Sequence, residues 1–103
     1  MSSDQTHPLG YTCHMELPEE TTADLIRRLA RIEGQVRGVQ VMIRDGRECR
    51  EIVAQISAAG KALDQVGFKL LAKGLATCVA DPEKAGQLGF ELAEVERLFL
   101  KLA

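Results

Sequence analysis

The segment from Glu48 to about Val79 contains no proline, and Ile52, Val53, Ile56, Ala59, Leu63, Val66, Leu70, Leu71 and Leu75 recur through it at helical spacing. That period predicts one amphipathic helix of roughly thirty residues, the feature around which the rest of the chain has to pack. Gly60, Gly67 and Gly74 stand inside it. Each costs up to ~1 kcal/mol relative to alanine in a helix interior, so their presence asks for a compensating contact. Cys49 and Cys78 lie 29 residues apart in the same segment. At ~100° per residue this is eight turns and about 20°, so both thiols share one face, and the glycines fall within ~20° of Cys49 on it. A stripe of small residues between two cysteines reads as a seam for close helix–helix contact. Within one straight helix the thiols stand ~43 Å apart and cannot meet. Two copies packed antiparallel about a two-fold axis near Leu63 and Asp64 set Cys49 of one chain opposite Cys78 of the other, and symmetry makes that site twice. Taken singly, either cysteine reads as a small buried hydrophobe.

The flanking segments are helical as well. Residues 1 to about 18 are polar, contain Pro8, Gly10 and Pro18 and show no period, which predicts a flexible arm. Thr21 or Thr22 can cap a first helix with Asp24 in its first turn. Leu25, Leu29, Ile32, Val36, Val39 and Ile43 carry its apolar stripe to an end near Asp45-Gly46. Asp81-Pro82 reads as a helix start, and Leu88, Leu92, Val95, Leu98, Phe99 and Leu102 supply the stripe of a third helix. No tract reads as a strand. The expectation is an all-α fold: a three-helix subunit with a long central helix, an N-terminal arm over residues 1–19 and one domain over residues 20–103. A chain of this length buries only about two thirds of the surface its unfolded form exposes, so a thin bundle gains from self-association. No apolar run approaches a bilayer span, and the N-terminus lacks the basic and apolar regions of a signal peptide. The chain is therefore expected in the cytoplasm, with no membrane partner. Its three cysteines, an odd number, do not make a secreted disulfide framework, which leaves metal-binding, redox or plain buried roles.

The net charge of −2 is not the footprint of a nucleic-acid binder, but the charge is segregated. Between Asp24 and Arg50 seven arginines face four acidic residues, whereas residues 1–23 hold four acids and no lysine or arginine. The basic surface belongs to the first helix. On charge alone this is a solvated helix face. No Ser-His-Asp constellation or glycine-rich phosphate loop is present, so the chain is expected not to be an enzyme. A structural helical oligomer without DNA binding remains the bland alternative.

The run Arg28-Leu-Ala-Arg-Ile-Glu-Gly-Gln-Val-Arg-Gly-Val39, with Cys49 fifteen positions after Gly34 and Ala54-Gln-Ile-Ser-Ala58 beyond it, resembles the copper-sensitive operon repressor (CsoR/RcnR) family over roughly residues 20–103. The resemblance implies an antiparallel dimer with the long helix at its centre, assembled into a disc-shaped dimer of dimers. It also implies a repressor that binds double-stranded operator DNA and releases it on inducer binding. For DNA contact it points to Arg28, with Arg31 and Arg37 as neighbours, and to Lys61 on the long helix; a further family arginine falls at Gln65 here. No helix-turn-helix or zinc-finger spacing is present, so phosphate contacts and DNA shape carry the binding.

Copper(I) sensors of this family resemble a Cys-His-Cys site whose members fall at Cys49, position 74 and Cys78, and position 74 here is Gly74. Keeping both cysteines and losing the histidine is similar to the CstR-like branch. That likeness implies a sensor without a cofactor, whose inducer is a persulfide or another reactive sulfur species. It joins Cys49 and Cys78 across the dimer by di- or polysulfide bonds. Arg47 and Arg50 flank Cys49, cationic neighbours of the kind that promote thiolate chemistry. The formaldehyde-sensing branch uses an N-terminal proline close to helix 1, and nickel and cobalt sensors want several histidines, whereas only His7 and His14 exist here. The alternative is a copper(I) or other metal sensor in which the arm folds back and Cys13 or His14 adds a third ligand to Cys49 and Cys78.

Overall fold

The computed structural model describes residues 16–103. Four helices follow one another: α1 (Glu19–Arg44), α2 (Cys49–Ala80), α3 (Pro82–Gln87) and α4 (Leu92–Leu102), with no strand among the described residues. The all-α expectation with a long central helix holds.

Helix α1 begins two residues before the threonines expected to cap it. Pro18 occupies the cap position, and the Thr22 N–H donates to its carbonyl at 3.0 Å. Glu19 and Glu20 in the first turn complement the positive end of the helix. The far end closes as read from the sequence. Gly46 takes φ 69°, its N–H donates to the Ile43 carbonyl, and the Arg47 N–H donates to the Met42 carbonyl at 3.0 Å. These paired bonds form a Schellman turn, which reverses the chain so that α2 runs back along α1.

The expected third helix is present in two pieces, which corrects the three-helix subunit to four helices. Asp81 caps α3 by accepting the Lys84 N–H at 3.1 Å, with Pro82 at the first helical position, as the sequence predicted. The break follows at Gly89, whose φ of 91° is open to glycine and strained for other residues. The Phe90 N–H donates to the Ala85 carbonyl at 2.8 Å and the Gly89 N–H to the Gly86 carbonyl at 3.2 Å, a second Schellman turn. This turn folds Phe90 back onto Ala85, and α4 then lies antiparallel on the C-terminal half of α2.

Two interior glycines of α2 are consumed by that packing. A Cβ at Gly67 would stand 2.8 Å from Leu102 Cδ1, and one at Gly74 would stand 2.7 Å from Phe90 Cδ1. Gly60 has open space around it. The glycine stripe is thus not simply a seam toward another chain: two of its three members seat α4 and the turn before it within the same chain. The stacked rings of Phe68 and Phe99, with centroids 5.9 Å apart, extend the same contact. The buried set is Leu25 and Ile32 on α1, Leu71 and Cys78 on α2, then Ala85, Phe90 and Val95. The α1–α2 hairpin, by contrast, leaves Ile26, Val36, Ile43, Val53, Ile56 and Leu63 between 47% and 59% exposed. No helix is long and apolar enough to cross a membrane among the described residues.

Candidate functional site

The two cysteines of α2 sit in opposite surroundings. Cys49 is the first residue of the helix and is exposed, beside Glu48, Arg50 and Val53 in a shallow hollow. Arg47, one of its two expected cationic neighbours, donates instead to Glu51 at 3.1 Å. Cys78 is buried two residues before the helix ends, in a cluster with Ala85 and Phe90 against which Leu17 and Leu88 pack. Its thiol donates to the Phe90 carbonyl at 3.7 Å. One chain does not bring the two thiols together, as the spacing predicted.

Cys13 and His14 lie outside the described residues. The arm's described end is tied next to Cys78: the Glu16 N–H donates to the Leu88 carbonyl at 2.9 Å, and Leu17 joins the Cys78 cluster. Among the described residues no group of three or more His, Cys, Asp or Glu side chains is placed to hold a metal ion.

The basic residues divide by face. Arg28 Nε donates to Asp24 Oδ2 at 2.9 Å, and Arg27 reaches Oδ1 of the same carboxylate at 3.4 Å. The Arg28 hydrogen bond holds the Asp24 carboxyl below its usual range against a smaller desolvation effect, helped by the charges of Arg28, Arg27 and Lys69. Arg31, Arg37 and Lys61 are exposed. On α1, Arg31 stands ~60° around the axis from Arg28, whereas Arg37 stands ~180° away. Arg28 and Arg31 therefore share a side and Arg37 does not. Lys69 neighbours Asp24, so in this antiparallel pair Lys61, two turns earlier on α2, is level with about residue 32 of α1.

Sequence reasoning did not single out Phe90, and it placed Asp24 only as a first-turn acid of the first helix. The signal for Phe90 was Gly86 and Gly89 interrupting the supposed third helix, because a glycine just past a helix end folds the next apolar residue back onto it. For Asp24 it was the pair of arginines three and four positions on.

Residues 21–101 match the family described as metal-sensitive transcriptional repressor. This chain belongs to that family. It is 44% identical to the copper-sensing transcriptional repressor CsoR of Bacillus subtilis (strain 168) over 80 residues, which is 75% of this chain and 79% of that one. It is 38% identical to the copper-sensing transcriptional repressor RicR of Mycobacterium tuberculosis over 78 residues, covering 74% and 81% of the two chains. The Cu(I)-containing crystal structure of CsoR from Geobacillus thermodenitrificans NG80-2 superposes with a TM-score of 0.68 at 40% identity, covering 84% of this repressor and 93% of that chain. The nickel-responsive regulator InrS superposes with a TM-score of 0.66 at 31% identity over 87% and 98% of the two chains. These relatives correct the expectation of a sensor that takes no cofactor. That expectation came from the glycine at position 74, and a family of metal-sensitive repressors with a Cu(I)-bound member at 40% identity overturns it.

Proposed function

We propose that this chain is a cytoplasmic transcriptional repressor that binds operator DNA as a self-associated helical assembly. It releases the DNA when copper(I) is held between Cys49 of one subunit and Cys78 of the partner subunit. The observation that carries this reading is the pair of α2 thiols, one at each end of the helix and ~43 Å apart, in a chain whose relatives sense copper. An ion can join them only across two chains. The apolar face of the α1–α2 hairpin, with Ile43 and Val53 more than half exposed, supplies the surface a second copy would cover.

The donor set suits the ion. Two soft thiolates favour copper(I), whereas harder divalent ions ask for imidazole or oxygen ligands that α2 does not offer beside Cys78. When bound, the ion supplies a link between subunits through sulfur. The chain's own part is to give up the Cys78 thiol proton, and with it the hydrogen bond to the Phe90 carbonyl at the turn before α4. Arg28 and Arg31 contact phosphates from one side of a subunit and Arg37 from another, with Lys61 of α2 adding a further exposed cation level with them.

A second reading is favoured by Gly74, which leaves two thiols and no nitrogen from α2. The Cys49 thiolate attacks the outer sulfur of a persulfide and releases the donor thiol. The Cys78 thiolate of the partner subunit then displaces hydrosulfide to form the inter-chain disulfide.

The test uses a fluorescent duplex selected by the protein from a random pool. Copper(I), titrated against a competing chelator, should bind stoichiometrically and release the duplex, and Cys49→Ala or Cys78→Ala should each abolish release. Mixing the two variant chains should restore about a quarter of the sites if each site spans two chains, and none if it lies within one. Covalent dimers joined by a Cys49–Cys78 disulfide after persulfide treatment, with no copper(I) response, would transfer the assignment to the second reading.

A further inference from the structure

We infer that Phe90 is a specificity-determining residue of the Cys78 site: its ring, seated over Gly74, closes the position on α2 from which a nitrogen or oxygen ligand would reach Cys78. The site is thereby restricted to inducers that thiolates alone satisfy. The inference rests on the metal-sensing reading above.

The positions one helical turn from Cys78 are 74, 75, 81 and 82. Leu75 and Pro82 carry no donor, and the Asp81 carboxylate caps α3 through the Lys84 N–H at 3.1 Å. That leaves position 74. A Cβ there would stand 2.7 Å from Cδ1 and 3.0 Å from Cε1 of the Phe90 ring, closer than such atoms approach in proteins. The ring has nowhere to retreat. It is 2% exposed, its backbone N–H is bound to the Ala85 carbonyl at 2.8 Å, and its carbonyl accepts the Cys78 thiol. Withdrawing it by a shift of the Phe90 backbone opens the Schellman turn at Gly89. Divalent cobalt, nickel and zinc reach stable coordination through several nitrogen and sulfur ligands, whereas a soft monovalent ion is served by two thiolates. Phe90 thus selects the second class by denying space to a third donor.

The test compares wild type, Gly74→His, Phe90→Ala and the double variant G74H/F90A, each confirmed helical by circular dichroism and each titrated with Co(II) and with Cu(I). Wild type, G74H and F90A should show a sulfur-only first shell for Cu(I) by X-ray absorption and weak Co(II) binding. The double variant, whose imidazole fills the vacated ring space, should gain nitrogen in that shell and bind Co(II) at least about tenfold more tightly than F90A. Should F90A melt, the same cycle built on Phe90→Val replaces it. An equal gain in G74H alone, no gain in the double variant, or nitrogen in the wild-type shell overturns the inference. Absence of Cu(I) binding by wild type would instead sink the metal-sensing reading, and the Co(II) comparison would still decide whether Phe90 is the barrier.

Discussion

The two ends of α2 carry the same side chain in different settings. Cys49 opens the helix in solvent, with α1 as the neighbouring element and Gly60 facing open space eleven residues on. Cys78 lies near the other end under α3 and the Phe90 turn, with Gly67 and Gly74 already occupied by Leu102 and Phe90. A sequence face that looks continuous is therefore divided: its N-terminal half is free to meet another molecule, and its C-terminal half is taken up by the chain's own C-terminus. Division of labour follows from burial. On the proposed reading the exposed thiol is the one an inducer would meet first, and the buried one is tied through its hydrogen bond to the turn before α4.

The comparison breaks most directly at Phe90. Phe90→Ala removes a fully packed aromatic ring and should cost about 3–5 kcal/mol of unfolding free energy, read from chemical denaturation. A cost near zero would mean that the closed half is no more committed than the open one. Thiol accessibility sharpens it next. With an alkylating reagent under native conditions, Cys49 should react directly and Cys78 only through local opening, a difference of roughly a hundredfold or more in rate as resolved by mass spectrometry of digests. Equal rates would show that the Phe90 turn is open in solution.

The glycines give a graded version of the same contrast. Gly74→Ala should destabilise by ~1–3 kcal/mol because the ring it meets is buried and pinned. Gly67→Ala should cost less, since what it meets is the branched end of the flexible Leu102 side chain, which can swing away. Gly60→Ala meets nothing within the chain and should stabilise by up to ~1 kcal/mol through helix propensity. If Gly60→Ala proves as damaging as Gly74→Ala, a second copy packs against the open half as closely as Phe90 packs against the other.

Much of this was legible in the residues. The proline-free period of α2, the glycine stop at Gly46 and the Asp81-Pro82 start each rest on local physics, and each appears where the pattern put it. The break inside the third helix was missed because Leu88, Leu92 and Val95 keep helical spacing across it, so periodicity alone passes over a glycine taking φ 91°. The glycine stripe was legible as a face, but its occupant was not. Spacing fixes direction around an axis and is silent about which chain arrives there. The same limit applies to the segment from Asp24 to Arg50, where seven arginines and four acids count as a basic region until Asp24 is seen engaging two of them.

The smallest effect expected concerns the Asp24–Arg28 pair near the start of α1. Asp24 accepts from Arg28 and lies in the field of Arg27 and Lys69, so its carboxyl is depressed in the folded state. A depressed carboxylate adds stability above its unfolded value of about 3.9, and that contribution fades as pH falls through the lower folded value. Wild type should therefore exceed Asp24→Asn in stability at pH 7, with the gap closing below about pH 4; a gap that persists in acid would place the effect in packing rather than charge. The carboxylate is also partly exposed, which keeps the gain small. Function should move the other way. Asp24→Asn removes a negative charge and frees the Arg28 guanidinium for phosphate, so duplex affinity should rise a few-fold and its dependence on log salt should steepen by up to about one unit. Unchanged affinity and slope would mean that Arg28 stays paired with Asp24 when DNA is bound, leaving Arg31 to carry that side of the contact.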